Sequence, residues 1–164
     1  MTSIMNGDDF LMTYDELLIE ADKNNLIVKE KPLVSGDGRI SGNRIAIRKS
    51  IETQAQKACV LAEELGHHYT TVGNILDQNN VSNRRQEQKA RTWAYFRQIS
   101  LCDLVSAYRY GCRNKFEIAE YLGITEQFLT DALQRFKEKY GLFKTCDTYV
   151  IYFDPLAVLE LYNN

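Results

Sequence analysis

Two adjacent glutamates precede the chain's two histidines in residues 63–68, which read Glu-Glu-Leu-Gly-His-His. Side chains four residues apart share one face of a helix, so Glu63 and His67 project together, with Glu64 about 100° round the axis. Such a pair can hold a divalent cation, and a nearby carboxylate can take a proton from water bound to that cation. The spacing predicts two metal ligands, with Glu64 as the base of a metallohydrolase.

The same spacing also suits two solvated ion pairs on a helix surface, Glu63 with His67 and Glu64 with His68. Gly66 favours the metal site slightly. A glycine inside a helix costs about 1 kcal/mol relative to alanine and usually marks a close approach by a neighbouring segment. Spacing alone leaves both interpretations open.

A third candidate ligand, Glu87, lies one turn before Ala90 and two turns before Ala94 on the inward stripe of the next predicted helix. The two alanines would let that helix pack closely on the central one and bring Glu87 toward His67. Glu63, His67 and Glu87 would then leave one coordination position open for water. The alternative is a first-turn glutamate that the helix dipole favours.

The elements that must position these residues indicate an α+β fold. Residues 51–71 contain no strong breaker and carry small and apolar residues on one face, which predicts the central helix. A capping-box pattern predicts a first helix over 13–24, and short β-branched runs within 26–47 predict a small antiparallel sheet. A polar loop is expected over 73–83, and a second long helix over 84–110.

The sequence after residue 111 has a different pattern. Helices are predicted over 115–122 and 126–140 with a turn at Gly123, followed by hairpin strands at 142–143 and 149–153. This order is helix-turn-helix-like and winged, but Glu126 and Asp131 occupy the part of the second helix where a DNA reader needs basic or amide residues. We therefore expect packing or protein binding rather than DNA contact, and divide the chain into domains 1–111 and 112–164.

Composition narrows the class of protein further. The length of 164 residues suits one compact core, and a net charge of −2 provides no positive field for nucleic acid. Four widely spaced cysteines predict reduced thiols rather than a disulfide framework or a CxxC metal site. No apolar run reaches the length of a membrane span. These features predict a cytoplasmic protein without membrane contact.

The two motifs resemble those of the ImmA/IrrE family of bacterial metallopeptidases, whose signature is His-Glu-x-x-His with a downstream Glu-x-x-Ala. The matching stretches are residues 63–67 and 87–90, and the similarity covers roughly residues 26–110. The resemblance implies a zincin-like core, with a small antiparallel sheet packed on an active-site helix. It also implies Zn²⁺ or another divalent metal held by Glu63, His67 and Glu87, with Glu64 as the catalytic base.

Family members from phages and mobile elements relieve repression. The resemblance therefore implies an antirepressor peptidase that cleaves, or promotes cleavage of, a protein substrate such as a helix-turn-helix repressor.

Glu63 departs from the family signature, because it stands where the first histidine belongs. Three outcomes are open: Glu63 replaces the histidine in a working site, His68 completes the site in a shifted register, or the metal is lost. The first is preferred, because Glu64 and His67 keep their places in the motif. The last gives the alternative function, a catalytically inactive module that binds protein or DNA.

Overall fold

A computed structural model describes residues 12–71 and 80–162 of the chain. The helices in these ranges are α1 (Tyr14–Lys23), α2 (Gln54–Thr70), α3 (Asn80–Gln98), α4 (Leu101–Tyr110), α5 (Lys115–Leu122) and α6 (Glu126–Tyr140). The strands are β1 (Ile27–Lys31), β2 (Gly38–Ser41), β3 (Arg44–Arg48), β4 (Phe143–Cys146), β5 (Tyr149–Phe153) and β6 (Leu156–Glu160). The predicted α+β class is confirmed.

The N-terminal sheet has the strand order β1-β3-β2. Strands β2 and β3 are antiparallel, as predicted, with Arg39 opposite Ala46. Strand β1 runs parallel to β3, with Ile27 opposite Arg44, so the sheet is mixed and not wholly antiparallel. After β1 the chain crosses to the far edge of the sheet and forms β2. It then turns back, and β3 lies between β1 and β2. Strand β2 is left at an edge of this sheet, beside α2.

Helix α2 is the centre of the fold. Its inward side chains Leu61, Ala62 and Leu65 are fully buried, and they belong to the same hydrophobic core as Ile45 and Ile47 of β3. The Thr53 side chain caps the helix by accepting a hydrogen bond from the Gln56 N–H. The predicted central helix is confirmed, with its first turn starting slightly later in the chain.

The single long helix predicted over 84–110 was wrong, because α3 ends at Gln98 and α4 begins at Leu101. Ser100 caps α4: its hydroxyl accepts from the Asp103 N–H, and the Asp103 carboxylate accepts from the Ser100 N–H. This capping box starts a new helix within an otherwise continuous helical pattern. Of the predicted loop, residues 73–79 lie outside the described ranges, and residues 80–83 belong to α3.

Helices α5 and α6 and strand β5 lie where they were predicted, whereas β4 spans Phe143–Cys146 rather than 142–143. Strand β6 adds a third strand in the antiparallel order β4-β5-β6. Buried side chains of this section, including Phe136 and Ile151, join Leu17 and Leu65 in one hydrophobic core. The domain division at residue 111 and the winged interpretation stay predictions. All four cysteines are free thiols. Across residues 12–71 and 80–162, none of the helices combines the length and the apolarity needed to cross a bilayer.

Candidate metal centre

An open cleft of about 720 Å³ lies between α2, α3 and the edge strand β2. Helix α2 contributes Glu64, His67 and His68 to its wall, and α3 contributes Glu87. Residues 38–42, which include all of β2, form the opposite side. The fold thus brings the predicted base and two of the predicted ligands to one opening.

The close contact between α2 and α3 allows these residues to meet. A Cβ atom added at Gly66 would lie 2.2 Å from the backbone oxygen of Ala90, so no larger residue fits without moving a helix. Ala90 and Ala94 are fully buried in this contact. The close approach predicted from Gly66 and from the alanine stripe is therefore confirmed.

His67 and Glu87 meet across this contact. The Nε2 atom of His67 is 3.3 Å from Oε1 of Glu87, and the two side chains are 21% and 53% exposed. His67 belongs to α2 and Glu87 to α3, so the packing of these two helices sets the distance between the side chains. An imidazole nitrogen and a carboxylate oxygen are both ligands that zinc accepts.

Glu64 lies deeper in the same cleft, where it is only 9% exposed. Strand β2 covers it: a Cβ atom at Gly38 would be 2.5 Å from Oε1 of Glu64, so a larger residue there would displace this carboxylate from its present position. Burial, together with the nearby carboxylates of Glu63 and Glu87, raises the pKa of Glu64 to about 7, although the Ile40 N–H acts in the opposite direction.

Glu63 faces a cation that the sequence prediction did not include. Its Oε2 is 3.9 Å from Nε of Arg91, and the same nitrogen is 3.8 Å from Oε2 of Glu87. Arg91 therefore lies between two predicted ligands. Burial raises the pKa of Glu63, and the Arg91 charge partly offsets that rise. The spacing of four residues between Glu87 and Arg91 could have indicated their contact, but the one with Glu63 depends on tertiary packing.

The candidate ligands have side chains of the types that bind divalent cations, and the charge around the cleft suits such a cation. The side chains are not arranged as a site of three ligands, however. Three carboxylates and one guanidinium leave a formal charge of −2 when all are ionised. His67 and Glu87 already converge, whereas Glu63 is turned toward Arg91. Within residues 12–71 and 80–162, no group of three His, Cys, Asp or Glu side chains is arranged to hold a metal.

The remaining candidate, His68, lies on the cleft wall and is exposed. Its ring stands edge-on to Tyr69, with centroids 5.0 Å apart. In the described ranges its ring makes no contact with Glu87 like the 3.3 Å approach of His67. The auxiliary role suggested for His68 stays a prediction.

An α+β fold with Glu64, His67 and Glu87 around one cleft is what a metallopeptidase-like protein would need. The family profile described as the IrrE N-terminal-like domain matches residues 15–134, well over half of the chain. The chain belongs to the ImmA/IrrE family of metallopeptidase-like proteins, as its motifs predicted. No curated protein and no solved structure gives a match.

Proposed function

We propose that this chain is a metal-dependent peptidase that cleaves an extended protein segment in the cleft between α2, α3 and β2. One observation carries the proposal: His67 and Glu87, from two different helices, come within 3.3 Å of each other at the mouth of the cleft that contains Glu64. Membership of a metallopeptidase-like family supports the same chemistry.

In this proposal His67 and Glu87 would hold zinc or another divalent cation, and Glu63 would join them by turning away from Arg91. A bound cation of this kind lowers the pKa of a water molecule and polarises a carbonyl group. Glu64 acts as the general base, because its carboxylate shares the cleft with both ligands. Its cover by β2 leaves the Glu64 side chain itself only 9% exposed.

Strand β2 gives the substrate a place to bind. Among residues 12–71 and 80–162 it pairs with β3 alone, and its other edge borders the cleft. An extended peptide can add to such an edge through main-chain hydrogen bonds, with alternate side chains pointing to opposite faces of the sheet. This mode of binding would carry a scissile bond past Glu64.

The biological role follows the family resemblance. We propose a cytoplasmic protein of a phage or mobile element that relieves repression by cleaving a repressor, with a helix-turn-helix repressor as the candidate substrate. The acidic start of α6, with Glu126 and Asp131, supports protein rather than DNA as the partner of the C-terminal section.

A peptide library digested with the zinc-loaded protein and analysed by mass spectrometry tests the activity. We expect the wild type to produce a consistent set of cleavages, and Glu64→Gln to reduce their rate by about 10²-fold or more, the usual effect of removing a general base. Zinc content should be equal in both proteins, because Glu64 is not a proposed ligand. Equal cleavage by the two proteins would refute the proposed role of Glu64.

A second candidate function, a metal-free protein-binding module, is favoured by Arg91. Its guanidinium contacts Glu63 and Glu87 at once, so it supplies positive charge to the place where a metal would be needed. In that case the cleft keeps the peptide-binding edge of β2 without hydrolysis.

Arg91→Met separates the two functions while keeping much of the side-chain volume. If the cleft holds a metal, removal of this cation should tighten zinc binding, because the competing charge is lost. If Arg91 replaces the metal, the variant should instead be destabilised, and added zinc should not restore its melting temperature. Arg97→Met is the matched control. Arg97 also belongs to α3, but its ion pair is with Glu20 of α1.

A further inference from the structure

The N-terminal sheet has one strongly basic face, which is turned away from the helices. Alternate residues of its three strands point outward, and five of them are basic: Lys29, Lys31, Arg39, Arg44 and Arg48. The opposite face holds the buried Ile45 and Ile47. A chain with a net charge of −2 thus carries five basic residues on one face of this small sheet. We call these five residues the basic face.

Most of this positive charge has no ion-pair partner in the part of the chain that the structure describes. Arg48 is paired with Asp37 at 3.2 Å and donates to the Gly36 carbonyl. None of the other four residues of the basic face makes an ion pair with a side chain in the described ranges. They border a shallow groove of about 320 Å³, with Ile27 and Ala46 between them. Unpaired like charges repel one another, so an anionic ligand would stabilise this face.

The basic face adjoins the peptide-binding edge. Arg39 and Ser41 of β2 line both the groove and the active-site cleft. A strand added to β2 would lie about 4.8 Å from it, with every second side chain beside Arg39 and within reach of Arg44. The intervening side chains would point toward the cleft, where Glu64 and Glu87 repel acidic groups.

We propose that the basic face recognises acidic side chains at alternate positions of an extended protein segment bound along β2. The inference rests on the proposed function, since it uses the same edge strand, and it adds the chemistry of the substrate. An alternating pattern fits a peptide, whose side chains change face at each residue. A nucleic acid backbone fits less well, because phosphates would also meet the cleft carboxylates, and the basic face offers no aromatic ring for base stacking.

Fluorescence anisotropy with defined probes tests this inference. The first probe is a labelled decapeptide of alternating Glu and Val with blocked ends, and the second has the same composition with its glutamates in one block. Wild-type protein in EDTA should bind the alternating peptide more tightly, and increasing salt should weaken that binding. Measurement without metal separates this inference from the proposed function, because a failure to bind zinc or to cleave would leave the result unchanged.

Charge reversal locates the binding surface. Arg39→Glu combined with Arg44→Glu should weaken binding of the alternating peptide by about tenfold or more. The control combines Lys115→Glu with Lys144→Glu, which changes the net charge equally at exposed positions of α5 and β4, and it should stay within about twofold of the wild type. Melting curves check that both variants are folded.

Three results would overturn the inference. The first is absence of binding, or equal binding of the two peptides. The second is an equal loss of affinity in both double variants. The third is tighter binding of labelled single-stranded or duplex DNA that is lost in the Arg39 and Arg44 variant, which would assign the basic face to nucleic acid.

Discussion

We expect Gly66→Ala to lower the free energy of unfolding by more than about 3 kcal/mol, although the same change in an ordinary helix interior stabilises by about 1 kcal/mol. The reason is that the added Cβ would lie 2.2 Å from the Ala90 oxygen and 2.9 Å from its carbonyl carbon. Both are backbone atoms, so α2 and α3 must move apart. Urea denaturation followed by circular dichroism measures the effect.

Gly42→Ala is the control for this prediction. A Cβ atom at Gly42 would meet nothing within 4 Å, but its φ of +59° disfavours alanine, so we expect a loss of about 1 kcal/mol. Separation of the helices should also disturb the site, since His67 and Glu87 stand on opposite sides of this contact. A Gly66→Ala protein as stable as the wild type would mean that α2 and α3 do not pack as described.

We expect Glu63→His to have the second large effect, which is a zinc affinity about tenfold or more above that of the wild type. The change restores the His-Glu-x-x-His pattern at residues 63–67. An imidazole does not pair with Arg91 as the carboxylate does, so the side chain is free to join His67 and Glu87. The loss of one negative charge opposes this gain, but the cleft is open to solvent and the charge is screened. Competition with a chromophoric chelator gives the affinity.

Glu63→Gln separates the new ligand from the change in charge. It removes the same negative charge without adding an imidazole, so zinc binding should be weaker than in the wild type. If the glutamine and histidine variants bind zinc equally, position 63 does not contribute a ligand, and the family motif does not describe this site.

Local signals were sufficient for much of the fold. Helices α5 and α6 have the predicted bounds, because turn glycines and apolar spacing define their ends within a few residues of sequence. Part of the site could be predicted from the packing of helices. Ala90 and Ala94 indicated that α3 could approach α2, which would bring Glu87 beside His67. Small residues at helical spacing therefore indicated which two helices pack closely together.

Other features depend on contacts between residues far apart in the chain. The parallel pairing of β1 with β3 follows from the order in which strands join the sheet, which short β-branched runs do not encode. The contact of Glu63 with Arg91 depends on how α2 and α3 are rotated relative to each other. The break before α4 was local and detectable, since Ser100 and Asp103 have capping-box spacing, but the continuous apolar pattern concealed it.

The metal content of the purified protein tests the central claim most directly. After equilibration with zinc and removal of the excess, mass spectrometry should find one zinc per chain in the wild type and in His68→Ala. The content should fall sharply in His67→Ala and in Glu87→Ala, because these two side chains converge at 3.3 Å. A wild-type protein without stoichiometric zinc, or equal zinc in all four proteins, would contradict the account.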